Sequence, residues 1–206
     1  MKKLFIIILI LLSTISVKAY ENDILKIDID ESYKLETETK NTIRWTKENK
    51  YIAISISDNK KLKYDVKTFS QTDIDNQKEY FENGINKGLE KYNIKAEISS
   101  ITKNNINDIY YLEYDIYYPS KNATGYNMYQ KGRMYTTNKY IVTIIYSSDT
   151  SLDKDDLCKK TLDSLLILDN YNVNKNSQKG FVYAFIAIGV IAGIVGAVIS
   201  IKKRHK

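Results

Sequence analysis

The sequence contains one histidine, one cysteine and one proline among 206 residues. The histidine, His205, stands next to the C-terminus, so serine–histidine and cysteine–histidine nucleophiles and histidine-based zinc sites lack their imidazole in the rest of the chain. A single cysteine, Cys158, excludes an internal disulfide and a thiolate metal cluster. We therefore expect a protein that is not an enzyme and that holds no cofactor and no metal.

Carboxylates cluster at two places in the sequence. Asp28, Asp30 and Glu31 lie at the end of a predicted strand, and Asp73 and Asp75 lie at the start of a predicted helix. A calcium loop also needs a central glycine and a distal glutamate, and neither cluster has that set. Helix capping and solvated turns are the expected roles, and a carboxylate-dependent envelope hydrolase is an alternative function.

The N-terminus has the pattern of a secretory signal peptide over residues 1–19. Two lysines precede an apolar run over residues 4–12, and Val17 and Ala19 supply small residues for cleavage after Ala19. The apolar run is shorter than the roughly 20 residues that a transmembrane helix needs. An uncleaved signal anchor is the alternative, and it leaves the following domain on the same side of the membrane.

The C-terminus is predicted to anchor the chain. Residues 180–201 form an apolar stretch of roughly 30 Å as a helix, which is long enough to span a bilayer. The basic tail, residues 202–206, favours the cytoplasmic side. Residues 169–179 are polar and predict a stalk, while residues 20–168 form an extracytoplasmic domain. We expect a single-pass cell-membrane protein whose C-terminal helix contacts the lipid bilayer.

Small residues within the predicted membrane helix suggest a contact between helices. Gly189, Gly193 and Gly196 lie three to four residues apart, a spacing that lets two helices approach closely. Self-association through this face, in a structural envelope protein, is a second alternative function.

The formal charge of +6 belongs to the two ends of the chain. Seven of the 31 lysine and arginine residues lie in the signal segment or the tail, while all 25 acidic residues lie between them, which leaves that middle part at −1. Nucleic-acid binding needs a basic patch, and the near-neutral middle part predicts none.

Hydrophobic periodicity predicts an α+β domain. Ile52, Ile54 and Ile56 alternate as in a strand, whereas residues 72–92 repeat their apolar side chains at helical spacing. Residues 140–146 are apolar on both faces, which is typical of a central strand. We predict an antiparallel β-sheet of about six or seven strands flanked by helices, an α/β/α sandwich, with strands at residues 24–29, 42–47, 51–57, 94–98, 109–118, 126–137 and 140–146.

Ten tyrosines lie between residues 110 and 146. Alternation places some of them in the core, and it places others on the opposite face of the sheet, beside two basic side chains. Tyrosine is a common strand former and also a common recognition residue, so sheet architecture and a partner-binding face are both open. The candidate face consists of Tyr111, Tyr117, Tyr129, Tyr135, Lys131 and Arg133.

The closing section of the domain resembles the PsbP-like superfamily. The resemblance lies in the order of strands and helices, in the run NKYIVTI from Asn138 after a turn, and in a helix closing on LDSL from Leu162. That superfamily includes the photosystem II extrinsic subunit and DcrB-like bacterial envelope proteins. The resemblance implies an α/β sandwich without a shared active site, in a family whose members are mostly binding or assembly factors. The missing catalytic set and the tyrosine-rich sheet favour a binding or assembly module with an envelope protein as a possible partner.

Overall fold

The structure is a computed structural model that describes residues 17–60, 64–90, 93–106, 109–119 and 127–168. The predicted stalk, membrane helix, glycine face and basic tail lie outside these residues, as does most of the predicted signal peptide. Among the helices of the described residues, none is both long and apolar enough to cross a membrane.

The described residues form strands, two α-helices and a short 3-10 helix, which we number in chain order. They are β1 (Val17–Glu21), β2 (Leu25–Asp30), β3 (Lys34–Glu38), β4 (Thr42–Lys47), β5 (Lys50–Asp58), the 3-10 helix (Val66–Thr68), α1 (Gln71–Leu89), β6 (Glu97–Ile106), β7 (Ile109–Tyr118), β8 (Met128–Thr136), β9 (Tyr140–Ser148), α2 (Asp156–Asp163) and β10 (Leu166–Ile167).

The strands form two antiparallel sheets. The larger sheet has seven strands in the order β3-β4-β5-β9-β8-β7-β6, and the smaller sheet has three in the order β1-β2-β10. The prediction of an antiparallel sheet of about six or seven strands with flanking helices is therefore confirmed. Helix α1 packs on one face of the larger sheet, while the smaller sheet and α2 lie on the other face.

Three details of the predicted sheet were wrong. The strand predicted at residues 94–98 is β6, which begins at Glu97 and continues to Ile106. The strand predicted at residues 24–29 lies in the smaller sheet, and the missing edge strand of the larger sheet is β3. All five residues of β3 are exposed, so the strand carries no alternation of apolar and polar side chains that a sequence pattern could show. One face of the sandwich is consequently covered by a small sheet and a helix rather than by helices alone.

Strand β9 lies in the centre of the larger sheet, as its composition predicts. Val142 and Ile144 face the core beneath the smaller sheet, which we call the small-sheet core. Ile141 and Ile145 face the core beneath α1, which we call the helix-side core. Each of these four side chains is at most 1% exposed, so β9 joins two separate hydrophobic cores.

Helix α1 begins with a capping box. The Ser70 hydroxyl accepts a hydrogen bond from the Asp73 N–H, and the Asp73 carboxylate accepts one from the Ser70 N–H. The helix is amphipathic, and its buried face contributes Ile74, Phe81, Ile85 and Leu89 to the helix-side core.

Asp155 caps α2 and ties it to the larger sheet. Its carboxylate accepts a hydrogen bond from the Cys158 N–H at 2.9 Å and forms an ion pair with Lys50 at 2.9 Å. Burial acts to raise the pKa of Asp155, but these two interactions outweigh it and lower the pKa. The Cys158 thiol is buried in the small-sheet core, which raises its pKa to about 12.

A buried polar cluster borders the helix-side core. The Tyr118 hydroxyl donates to the Gln130 carbonyl at 2.9 Å, and the Gln130 amide donates to the Tyr51 hydroxyl. Burial raises the pKa of Tyr51 to about 12. The Tyr114 ring lies over Gly132, where a Cβ atom would overlap it. Within the described residues, the buried Tyr114 hydroxyl has no hydrogen-bond partner.

Removal of the Tyr114 hydroxyl and removal of the Tyr118 hydroxyl should have different effects on stability. We expect Tyr114→Phe to leave the free energy of unfolding unchanged or to raise it by about 1 kcal/mol, because an unpaired buried hydroxyl is lost. We expect Tyr118→Phe to lower it by about 1–2 kcal/mol, because the Gln130 carbonyl loses its donor. Urea unfolding of the full chain in detergent, followed by the fluorescence of its one tryptophan, Trp45, measures both. An equal loss of unfolding free energy in the two variants would contradict the difference in hydrogen bonding between the two hydroxyls.

Candidate functional site

Strands β7 and β8 align four pairs of side chains on the face of the larger sheet that carries the small-sheet core. Two aromatic pairs flank two pairs of opposite charge, and we call these eight residues the ladder. In order along the strands, the pairs are Tyr111 with Tyr135, Glu113 with Arg133, Asp115 with Lys131, and Tyr117 with Tyr129. All six residues of the sequence-predicted partner face therefore belong to the ladder.

The charged rungs of the ladder are held by short contacts. Arg133 Nε lies 2.7 Å from Glu113 Oε2, and Arg133 Nη2 lies 2.7 Å from Asp163 Oδ1 on α2. Lys131 Nζ lies 2.9 Å from Asp115 Oδ1. Burial acts to lower the pKa of Lys131, but the Asp115 carboxylate outweighs it and raises the pKa. The cations of the ladder are thus neutralised within the domain.

The inner end of the ladder is part of the core. The Tyr111 and Tyr135 rings lie 5.1 Å apart between centroids, and the Arg133 guanidinium lies 4.8 Å from the Tyr111 ring centre. All three residues are at most 5% exposed. Burial raises the pKa of Tyr135 to about 12 despite the nearby Arg133. These three members of the predicted partner face are therefore buried within the domain.

The outer end of the ladder reaches solvent. Tyr117 and Tyr129 are partly exposed, and their rings lie 5.0 Å apart with planes tilted by 30°. The Tyr117 hydroxyl donates to Asn127 Oδ1 at 2.9 Å, which fixes that ring. Asp115 and Lys131 adjoin the aromatic pair and are also partly exposed. We call Tyr117, Tyr129, Lys131 and Asp115 the exposed end of the ladder.

Three acidic members of this network were missed by the sequence analysis. Glu113 and Asp115 alternate with Tyr111 and Tyr117 on one face of β7, so the same alternation that selected the tyrosines also selects them. No comparable sequence pattern indicates that Asp163 belongs to the network. It comes from α2, 30 residues beyond Arg133, and only the tertiary packing of α2 on β8 brings the two together.

Two of the other carboxylates that the sequence singles out hold a helix end and a turn. Asp73 belongs to the capping box of α1, and Asp30 accepts hydrogen bonds from the N–H and hydroxyl groups of Ser32. The side chains in the described ranges include no group of three histidine, cysteine or acidic residues that could hold a metal ion.

The predicted cleavage point lies within β1. Ala19 is paired opposite Asp28, and Tyr20 packs edge-on against Trp45 with ring centroids 5.1 Å apart. The side chains of Val17, Lys18 and Ala19 are exposed, although the backbone of these residues pairs with β2. Cleavage after Ala19 remains a prediction, as does the helix contact through Gly189, Gly193 and Gly196, which lies outside the described residues.

Comparison with known structures confirms the PsbP-like fold. The solution structure of cyanobacterial PsbP (CyanoP) from Synechocystis sp. PCC 6803 aligns with a TM-score of 0.55 and 12% identity, covering 75% of this chain and 94% of that one. The Ran-binding protein Mog1p of Saccharomyces cerevisiae aligns with a TM-score of 0.47 and 8% identity over 76% and 97% of the two chains.

LpqN of Mycobacterium tuberculosis, described as involved in cell envelope biogenesis, aligns with a TM-score of 0.39 and 8% identity over 74% and 90%. No family model matches the sequence, and no curated protein does. At these identities, the similarity to CyanoP concerns the fold alone.

Replacing each cation of the ladder by methionine should show that the buried ion pairs contribute more to stability than the partly exposed one. Arg133→Met should lower the free energy of unfolding by about 3 kcal/mol, because it removes a buried partner shared by Glu113 and Asp163. Lys131→Met should lower it by less than about 1 kcal/mol, because that side chain is 25% exposed and water screens the pair. Urea unfolding monitored at Trp45 measures the difference, and similar losses in both variants would be inconsistent with the geometry.

Proposed function

We propose that this chain is a single-pass, membrane-anchored binding or assembly module of the cell envelope, without catalytic activity of its own. Its domain lies outside the membrane and its basic tail in the cytoplasm. The exposed end of the ladder contacts a partner protein of the envelope.

The observation that carries this proposal is the partly exposed pair of Tyr117 and Tyr129 on a rigid sheet. The two rings contact each other, and a hydrogen bond to Asn127 fixes one of them. Little side-chain freedom would be lost on binding, because both rings are ordered beforehand. Tyrosine supplies large contact area with a polar tip, which is why it is enriched among the residues that dominate protein interfaces.

The charged side chains beside the aromatic pair are compatible with a protein interface. Lys131 and Asp115 form an ion pair at 2.9 Å, so the partner does not have to neutralise an isolated charge. A charged side chain at the rim of an interface helps to orient the partner. When it already has an ion-pair partner within its own domain, its desolvation on binding costs little free energy.

The two chain ends support the membrane location. The uncharged stretch over residues 181–201 and the basic residues after it favour one membrane span with the tail in the cytoplasm. The strands that flank the described domain at its two ends, β1 and β10, both pair with β2. The described part of the chain therefore begins and ends at the smaller sheet.

A photo-crosslinking experiment tests the proposed contact. A photoreactive amino acid is placed at Glu97, which is exposed on β6 opposite Tyr117, and as a control at Lys34, which is exposed on the far edge strand β3. In intact membranes, we expect a discrete protein adduct from position 97 and none from position 34. The adduct should decrease severalfold with Tyr129→Ala, because the aromatic contact is lost.

Leu35→Ala provides the matched control, since Leu35 is an exposed apolar side chain on the far edge. It should leave the adduct unchanged. An adduct with twice the mass of this chain would indicate a second copy as the partner and would favour the self-association alternative. Equal adducts from both positions, or an adduct indifferent to Tyr129→Ala, would refute the proposed face.

A further inference from the structure

Helix α1 closes the first part of the β6 edge with its side chains. The Asn86 amide accepts from the Ala96 N–H at 2.6 Å and donates to the Ala96 carbonyl at 3.1 Å. Glu82 accepts from the Ile98 N–H at 3.2 Å. The backbone groups that would otherwise pair with another strand are therefore occupied up to this point.

The second part of the edge lies beyond the reach of these side chains. The N–H of Ile98 points away from β7, and a bulge between Ile98 and Ser100 adds one residue to β6. Backbone direction alternates along a strand, so after the bulge the outward groups are those of Ile101, Lys103 and Asn105. Over the ranges that the structure describes, no side chain and no strand bonds to these groups.

This open part of the edge adjoins the ladder. The pairing of β6 with β7 places Ser100 beside Asp115 and Thr102 beside Glu113. Both β6 side chains are short, so a long side chain on an added strand can reach across them to the carboxylates of β7. The open edge and the ladder thus form one continuous surface.

The ladder side of this surface is negative, whereas the two lysines at the edge, Lys103 and Lys78, direct their ammonium groups to the backbone carbonyls of Phe69 and Ser99. Glu113, Asp115 and Asp163 outnumber Lys131 and Arg133 within the network of ion pairs. The exposed Glu97 on β6 adds a further negative charge opposite Tyr117. A strand with basic side chains on the ladder face complements this excess.

We propose that the partner protein binds by strand addition. An extended segment with lysine or arginine at every second position pairs antiparallel with residues 101–105 of β6 and lays its basic side chains over Ser100 and Thr102 toward Glu113 and Asp115. This inference rests on the proposed function, to which it adds the mode of binding and the chemistry of the partner segment.

A peptide of alternating lysine and threonine, eight residues long and blocked at both ends, serves as the probe. In antiparallel pairing, two residues that exchange hydrogen bonds lie directly opposite one another and share a face. Ile101, Lys103 and Asn105 lie on the helix-side face, so lysines on the ladder face require that the threonine amides point toward β6. N-methylation of the threonine amides should weaken binding by about tenfold or more, because hydrogen bonds to Ile101, Lys103 and Asn105 are lost. N-methylation of the lysine amides should change affinity by less than about twofold, because those amides face away from β6.

Binding is measured by fluorescence anisotropy with the full chain in nanodiscs of uncharged lipid, which avoids attraction of the peptide to the bilayer. A peptide with glutamate in place of lysine should not bind. Asn105→Pro provides a test from the side of the protein. It removes an outward N–H without breaking a bond to β7, and it should weaken the lysine peptide severalfold.

Two outcomes overturn the inference: no saturable binding of the lysine peptide, or equal losses from the two methylation patterns. If the crosslink from position 97 still depends on Tyr129 in that case, strand addition is wrong and the proposed function stands. If that crosslink is also absent, both are wrong.

Discussion

Strand β9 imposes the constraint on which the rest of the domain depends. Its two rows of side chains face two different cores, so neither face of the central sheet can be left to solvent at this position. Helix α1 covers one face, and the smaller sheet together with α2 covers the other. The sandwich is therefore a consequence of a central strand that is apolar on both sides.

The ladder lies on the face of the larger sheet that is covered by the smaller sheet and α2, at the point where this covering layer ends. Going outward along β7 and β8, the side chains change from buried tyrosines to a buried arginine, then to a partly exposed lysine and finally to partly exposed tyrosines. The inner half is fixed by the small-sheet core and by Asp163 on α2. The exposed end thus rests on a rigid base, which lowers the entropic cost of binding a partner.

The sequence predicts those elements whose own side chains carry the signal. The alternation of Ile52, Ile54 and Ile56 and the apolar faces of residues 140–146 reflect direct burial in the cores. Strand β3 has five exposed residues, so its place in the sheet comes from backbone pairing that no side-chain pattern reports. Alternation likewise identified β2 as a strand, but alternation does not specify which of two sheets a strand joins.

The same distinction applies to the site. The face shared by Tyr117, Tyr129 and Lys131 follows from the period of the strands, whereas the burial of Tyr111, Tyr135 and Arg133 depends on α2 and the smaller sheet, which pack there from distant parts of the chain. Hydrogen exchange of the full chain in detergent tests most directly whether the ladder rests on a rigid base. We expect backbone amides of β7, β8 and β9 to exchange only with global unfolding, while those of β1, β3 and β10 exchange much faster. Exchange in β7 and β8 as fast as in β3 would contradict it.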